Sequence, residues 1–249
     1  MAERRNGALI VGGGTGLGFA AAESLARRDW RVFLTSRREG ILQEAARKLP
    51  PGSVAGFLAG DATKLEELEK ICAAAAAALG TLDAVVISSG LGAIGSVLDT
   101  TAEDLLAVFS GNVVPVALTT RAALPFMPDG GSIIAIASIA ATVAHERRLS
   151  YSTAKAAVLG MVKQMALDLA PRRIRVNALS PSLVLTDLSQ GALSKEADPA
   201  QALAKRLAQH PLGRLGEAHE MGEAVAFLAG RGSAWMTGQN LMIDGGLSL

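Results

Sequence analysis

Short apolar runs alternate along the whole chain with longer stretches of helical periodicity. Ala8–Val11, Arg31–Thr35, Val54–Leu58, Ala84–Ser88, Ser132–Ala137, Arg175–Leu179 and Leu241–Ile243 read as strands. Their apolar character is near-continuous rather than alternating, as burial on both faces of a sheet requires. Between them, Gly18–Arg28, Gly40–Leu49, Leu65–Leu79, Ala102–Phe126, Ser152–Leu169 and Glu217–Leu228 read as helices. The alanine run Ala73–Ala78 is expected to be packed helix, because alanine is the best helix former and Leu65, Leu68, Ile71 and Leu79 keep helical spacing. Strands joined by crossovers of helix length form a parallel sheet with right-handed connections and helices on both faces. No linker, charge run or internal repeat divides the chain. The expected architecture is α/β, a single doubly wound domain over 1–249 with a seven-stranded parallel sheet.

One segment breaks the rhythm. Ser182–Pro211 separates the sixth strand from the Glu217 helix and carries Gly191, Pro199 and a helical patch over Pro199–Gln209. A long excursion at the carboxyl end of a strand is where such a fold sets a lid, so 182–211 is expected to cover a substrate. A helix pair that only packs is the alternative.

Composition narrows the classes. Half of the 249 residues are hydrophobic and 19% are charged, which excludes disorder. With 24 Lys+Arg against 23 Asp+Glu, the net charge of +1 gives no footprint for nucleic acid or an anionic membrane. The one cysteine, Cys72, excludes an intrachain disulfide and every multi-cysteine metal site. His145, His210 and His219 are the only histidines, and no HExxH, CxxC or GxSxG occurs, so no metal is expected. Met1–Gly7 is short and charged and does not read as a signal peptide. No apolar run approaches the ~18–20 residues that span a bilayer, and a cytoplasmic location is expected. A mean hydropathy of +0.33 without a span points to apolar surface covered by other subunits.

Three clusters carry chemistry. The first strand runs into Gly12-Gly13-Gly14-Thr15-Gly16-Leu17-Gly18 and then a helix. Glycines here permit a tight turn, close approach of backbone to a pyrophosphate and close helix–strand packing. The helix beyond offers unpaired N–H groups and its positive end to phosphate. After the second strand comes Thr35-Ser36-Arg37-Arg38, with Arg37 nineteen residues beyond Gly18. A site for NAD wants an acid there; two guanidiniums and a serine suit a 2′-phosphate. NADP(H) is therefore the preferred cofactor expected, with NAD(H) admitted. The third cluster is Tyr151-Ser152-Thr153-Ala154-Lys155, with Ser138 at the end of the fifth strand. The i, i+4 spacing sets Tyr151 and Lys155 on one helix face. A nearby ammonium favours phenolate, which predicts a Tyr151 pKa lowered toward working pH. Tyr151 is the only tyrosine in the chain.

These clusters, in this order, resemble the short-chain dehydrogenase/reductase family in its single-domain branch, and in general look its 3-oxoacyl-[acyl-carrier-protein] reductase-like members. The likeness extends through Ile174-Arg175-Val176-Asn177-Ala178, Pro211-Leu212-Gly213-Arg214-Leu215-Gly216, Thr237-Gly238-Gln239 and Asp244-Gly245-Gly246. It implies a Rossmann-like fold and hydride transfer between a nicotinamide and a ketone or secondary alcohol. Tyr151 would be the general acid or base and Lys155 would lower its pKa and bind the nicotinamide ribose. Ser138 would hold the carbonyl oxygen, and Asn112 a water feeding protons through Lys155. Gly12, Gly14, Thr15, Gly16, Leu17 and Gly18 would cradle the pyrophosphate, and Ser36, Arg37 and Arg38 the ribose end. Asp61 and Ala62 would contact adenine. Ser88, Ser89 and Gly90 would line the cofactor, as would Pro181, Val184 and Thr186 at the nicotinamide. Relatives pair through the helices that here are Ala102–Phe126 and Ser152–Leu169, so a homotetramer (or homodimer) is expected.

Three departures stand out. Val11 replaces the family's threonine, Ile87-Ser88-Ser89-Gly90 replaces its Asn-Asn-Ala-Gly, and Ser182 stands where glycine usually follows the proline. The first two remove both ends of a polar strut, for which an apolar Val11–Ile87 contact is expected to substitute. His145 reads as a loop histidine that could reach a polar substrate, His210 and His219 as structural, and Cys72 as an inert packed thiol. A non-catalytic dinucleotide binder on the same fold is the alternative function, and a lyase or isomerase a third. The substrate is a small carbonyl or alcohol compound that no motif specifies further.

Overall fold

The computed structural model describes residues 4–186, 189, 191, 193–194 and 198–249. Its strands are β1 Gly7–Val11, β2 Arg31–Ser36, β3 Val54–Ala59, β4 Ala84–Ile87, β5 Ser132–Ile136, β6 Arg175–Pro181, β7 Val184–Leu185, β8 Gly216–Glu217 and β9 Asn240–Ile243. Seven of them form one parallel sheet in the order β3-β2-β1-β4-β5-β6-β9, and β7 pairs with β8 apart from it. The helices are α1 Gly16–Ala26, α2 Glu39–Lys48, α3 Leu65–Leu79, α4 Ala102–Asn112, α5 Val114–Ala123, α6 Leu149–Leu169, α7 Pro199–Ala208 and α8 Ala218–Ala229. The chain winds outward from β1 to β3, then returns to lay β4 on the other side of β1. That reversal opens a crevice at the carboxyl ends of β1 and β4.

Successive residues of a strand face opposite sides, and here both sides are core. Leu9, Val85, Ile133 and Val176 enter one layer with Leu68 and Ile71 of α3 and Val158 and Val162 of α6. Ile10, Val86, Ile134 and Leu179 enter the other with Leu25 of α1, Leu42 of α2 and Val225 of α8. This is why the central strands read as unbroken apolar runs. Burial on both faces fails for β3 and β9, which are the sheet's edges and are largely half-buried.

The stretch Ala102–Phe126 is not one helix. It breaks at Val113 (φ −100°, ψ −48°) into α4 and α5 and ends in a 3₁₀ turn, Leu124–Phe126. Pro115 has no N–H to continue the ladder back to Gly111, which makes it a helix-starting residue here. The same stretch corrects the expectation that no apolar run reaches spanning length. It does so by length and composition, at a mean hydropathy of 1.3, with 44% of that window buried. α4 packs on α6 and α5 on α3. α6 begins three residues earlier than its sequence pattern indicates, so Tyr151 lies within its first turn.

Two anchors hold the carboxyl side of the molecule. The Arg175 guanidinium donates to the carbonyls of Leu228 (2.8 Å), Ala229 (3.2 Å) and Gly230 (3.3 Å), and Ser132 Oγ donates to Leu228 O (2.8 Å). With Ser233 Oγ, which reaches Phe227 O and Leu228 O at 2.9 Å, they satisfy the carbonyls at the end of α8. The base of the 182–211 excursion is fixed by the β7–β8 pairing, and α7 lies where its periodicity predicts, capped by Asp198 accepting from Gln201 N (2.9 Å). Positions 187, 188, 190, 192 and 195–197 of the expected lid lie outside the described residues.

Candidate functional site

A cleft of about 880 Å³ occupies the crevice above β1 and β4. Every site residue the sequence singles out lines it except Gly18. A Cβ on Gly18 would run into the carbonyl of Gly12, so this glycine serves the close packing of α1 on the turn. Gly12 (φ 80°) and Gly16 (φ 55°) take the left-handed conformation that favours glycine. Gly12 N and Gly13 N both donate to Thr35 O, at 2.8 and 3.1 Å, which bends the turn over the end of β2. Thr15, at the head of α1, makes no side-chain cap, leaving the first-turn N–H groups turned to the cleft.

Next along the cleft are Ser36, Arg37 and Arg38. Both guanidiniums are exposed, and among the described residues neither has an ion-pair or hydrogen-bond partner. Asp61 stands opposite. The Thr63 N–H (2.9 Å) and hydroxyl (2.8 Å) donate to its Oδ1 and hold its carboxyl below the usual range. Ser88, Ser89 and Gly90 form the floor. Val11 and Ile87 are neighbours in register across β1 and β4, both buried in one apolar cluster, so an apolar contact does stand where relatives carry the polar strut.

The deep end holds the third cluster. Ser138 Oγ accepts from Ala140 N (3.2 Å) and shares a hydrogen bond with the Tyr151 phenol. Lys155 Nζ lies 5.8 Å from the centroid of that ring. It is buried and donates to Ile136 O at 2.9 Å, its only partner among the described residues. Asn112 Nδ2 donates to Leu91 O and Val108 O, both at 2.9 Å. Its Oδ1 is buried without a partner, and a Cβ on Gly90 would lie 2.8 Å from it and 3.4 Å from Lys155 Nζ.

Charge behaves differently from the sequence-based expectation. Burial pushes the Tyr151 phenol above its ordinary value, and the Ser138 hydrogen bond and the Arg148 charge only partly offset it. The Lys155 ammonium is itself pushed down to about 8 by burial. A solvated i, i+4 pair would lower the phenol; inside this cleft the cost of burying phenolate outweighs a cation nearly 6 Å away. Cys72 is buried and its thiol is pushed up to about 12, consistent with packing.

The residues present fit a dinucleotide. Gly12 cannot carry a side chain without meeting Ser88 and Ser89 backbone at 2.9 Å, which keeps the cradle open. Three buried polar atoms without partners, Thr35 Oγ1, Ser89 Oγ and Asn112 Oδ1, belong to residues that line the same cleft. Sequence reading missed Ile41, Gly60 and Thr63 in the lining. It also missed what Ser182 touches: its hydroxyl pairs with His210 Nε2 at 3.0 Å. The departure from glycine was the available signal.

Comparison with known proteins agrees with this geometry. The family model described as enoyl-(acyl carrier protein) reductase matches residues 12–248. Carbonyl reductase family member 4 of Danio rerio is 35% identical over 243 residues, 97% of this chain and 98% of its own. Trans-4-hydroxycyclohexanecarboxylate dehydrogenase of Sinomonas cyclohexanicum is 35% identical over 247 residues, 96% of this chain and 91% of its own. A solved short-chain dehydrogenase/reductase from Serratia marcescens BCRC 10948 superimposes at a TM-score of 0.89, with 29% identity and 98% of both chains covered. Sheet order, cleft and relatives define the class, an NAD(P)-dependent α/β oxidoreductase acting on small molecules. Within that class the chain belongs to the short-chain dehydrogenase/reductase family.

Proposed function

We propose that this protein is an NADP(H)-preferring oxidoreductase that interconverts a ketone or aldehyde with the corresponding alcohol. The observation that carries the reading is the meeting of Tyr151, Ser138 and Lys155 in a cleft that the exposed guanidiniums of Arg37 and Arg38 also line. When bound, the dinucleotide supplies or accepts the hydride. In the reductive direction Tyr151 Oη gives its proton to the substrate oxygen, which Ser138 Oγ holds by a hydrogen bond. Lys155 Nζ, close to half-charged near pH 8, stabilises the phenolate left behind and has N–H groups to spare for ribose hydroxyls. Asn112 Oδ1, aimed at the same space beside Gly90, can hold the water that returns the proton. Arg37 and Arg38 would form charge-assisted bonds to a 2′-phosphate. The 182–211 excursion is read as the lid over the substrate. Exposed Leu106 and Phe109 on α4 and Leu167 on α6 support association through these helices, as a dimer or tetramer that sedimentation would detect.

The test is NADPH oxidation against a panel of 3-oxoacyl thioesters, small cyclic ketones, aldehydes and sugar-derived ketones. Turnover on one class, abolished in Tyr151→Phe, is the expected result. Replacing Arg37 and Arg38 together by alanine should cost NADPH affinity and leave that for NADH nearly unchanged. Wild-type binding of NADH as tight as that of NADPH would refute the cofactor preference. Bound NADPH with no turnover across the panel would favour a non-catalytic binder.

A further inference from the structure

We propose that His210 is a positioning residue for the nicotinamide end of the cleft, acting through Ser182 to tie the cleft wall at Pro181–Thr186 to the α7 arm. The inference rests on the dinucleotide reading of the cleft given above. His210 follows α7 and is buried, and its ring packs against Gly245 of the carboxyl-terminal tail, where a Cβ would lie 3.4 Å from His210 Cδ2. Both ring nitrogens have partners: Nδ1 meets Arg206 O at 2.7 Å and Nε2 meets Ser182 Oγ at 3.0 Å. A carbonyl oxygen only accepts, so the proton sits on Nδ1. In the Nδ1–H tautomer Nε2 accepts from the Ser182 hydroxyl, so both ring nitrogens have a partner.

The position of this clasp gives it a function. Ser182 lines the cleft beside Pro181, and Ser182 N donates to Ile243 O at 3.2 Å, so its backbone is held to the edge strand β9. Its side chain is turned onto the arm that carries His210. Val184 and Thr186, two and four residues on, line the same wall. A glycine at 182 would leave this segment free of α7, and a serine paired with a buried histidine couples the two. On the dinucleotide reading the coupled wall faces the nicotinamide, whereas Ser36, Arg37 and Asp61, which line the same cleft, face the adenosine half.

That separation supplies the test. Dissociation constants are measured for NADPH and for adenosine 2′,5′-bisphosphate, which lacks the nicotinamide half, on wild type, Ser182→Ala, Ser182→Thr, His210→Phe and the double variant. Loss of one hydrogen bond predicts an NADPH affinity about three- to tenfold weaker in Ser182→Ala, unchanged fragment affinity, and recovery in Ser182→Thr. The double variant should be no weaker than either single one, because both remove one clasp. His210→Phe has the greater chance of misfolding, and Ser182→Ala carries the test without it. NADPH affinity within about twofold of wild type in Ser182→Ala, or parallel weakening of the fragment, overturns the proposal. A wild-type protein that binds neither ligand overturns the dinucleotide reading itself and is distinguishable from both.

Discussion

Replacing Lys155 by methionine should make this protein more stable at neutral pH while removing its activity. The Lys155 ammonium is buried, and among the described residues it has one hydrogen-bond partner, Ile136 O, and faces no carboxylate. Burial lowers its pKa from the ordinary 10.5 to about 8. In the unfolded chain the amine keeps its proton up to about pH 10.5, whereas the folded protein sheds it near 8, so unfolding takes up a proton between those limits. The cost of burying the charge is therefore fully present below pH 8 and disappears as pH rises toward 10.5. A fall of this size corresponds to about 3 kcal/mol. Methionine keeps the unbranched stem and its packing but gives up the bond to Ile136 O, which offsets about 1 kcal/mol. The expected net gain at pH 7 is about 2 kcal/mol, shrinking to zero or reversing by pH 10.5. Urea unfolding followed by tryptophan fluorescence, at fixed protein concentration and pH 6 to 10.5, measures the gap. A Tyr151→Phe background removes the only phenol that would ionise in the same window. A Lys155→Met protein less stable than its parent at pH 7, or a gap that ignores pH, refutes the reasoning.

Further outcomes follow from the same geometry. Ultraviolet titration of the single phenol should give a midpoint above ~10 in the protein alone, because burial outweighs the Ser138 bond. Adding oxidised dinucleotide, whose nicotinamide is positively charged, should bring it down; a midpoint below ~10 in the protein alone counts against the burial argument. Arg175→Met should cost about 2–3 kcal/mol in urea by releasing the carbonyls at the end of α8, with NADPH affinity unchanged; a loss under about 0.5 kcal/mol would show that water caps that end equally well. Val11→Thr should cost about 1–2 kcal/mol, since its hydroxyl would face Ile87 in place of the polar partner of relatives, and thermal melting of a more stable variant would refute the apolar strut.

What the sequence made legible here is what local chemistry decides. Seven apolar runs became seven strands in one sheet because each side of the centre is core, and the alternating destinations of Leu9 and Ile10 or Val85 and Val86 leave no polar position to interrupt them. The glycine turn was legible for the same reason: no other residue admits the φ of Gly12 or the contact at Gly18. One misreading, the helix break, is local, and the others come from partners distant in sequence. Hydropathy runs smoothly through Val113, and the break comes from one missing N–H at Pro115, reinforced by an Asn112 amide occupied at Val108 and Leu91. Tyr151 and Lys155 look like a solvent-screened pair on a helix face, and only the sheet packed over them reverses the sign of the phenol's shift. Ser182 and His210 lie twenty-eight positions apart and carry no shared motif. Ser182 was visible as a departure from glycine, and His210 only as a histidine read as structural. Their pairing depends on how the excursion folds back, so the residues that tune the nicotinamide end were the least legible part of the site.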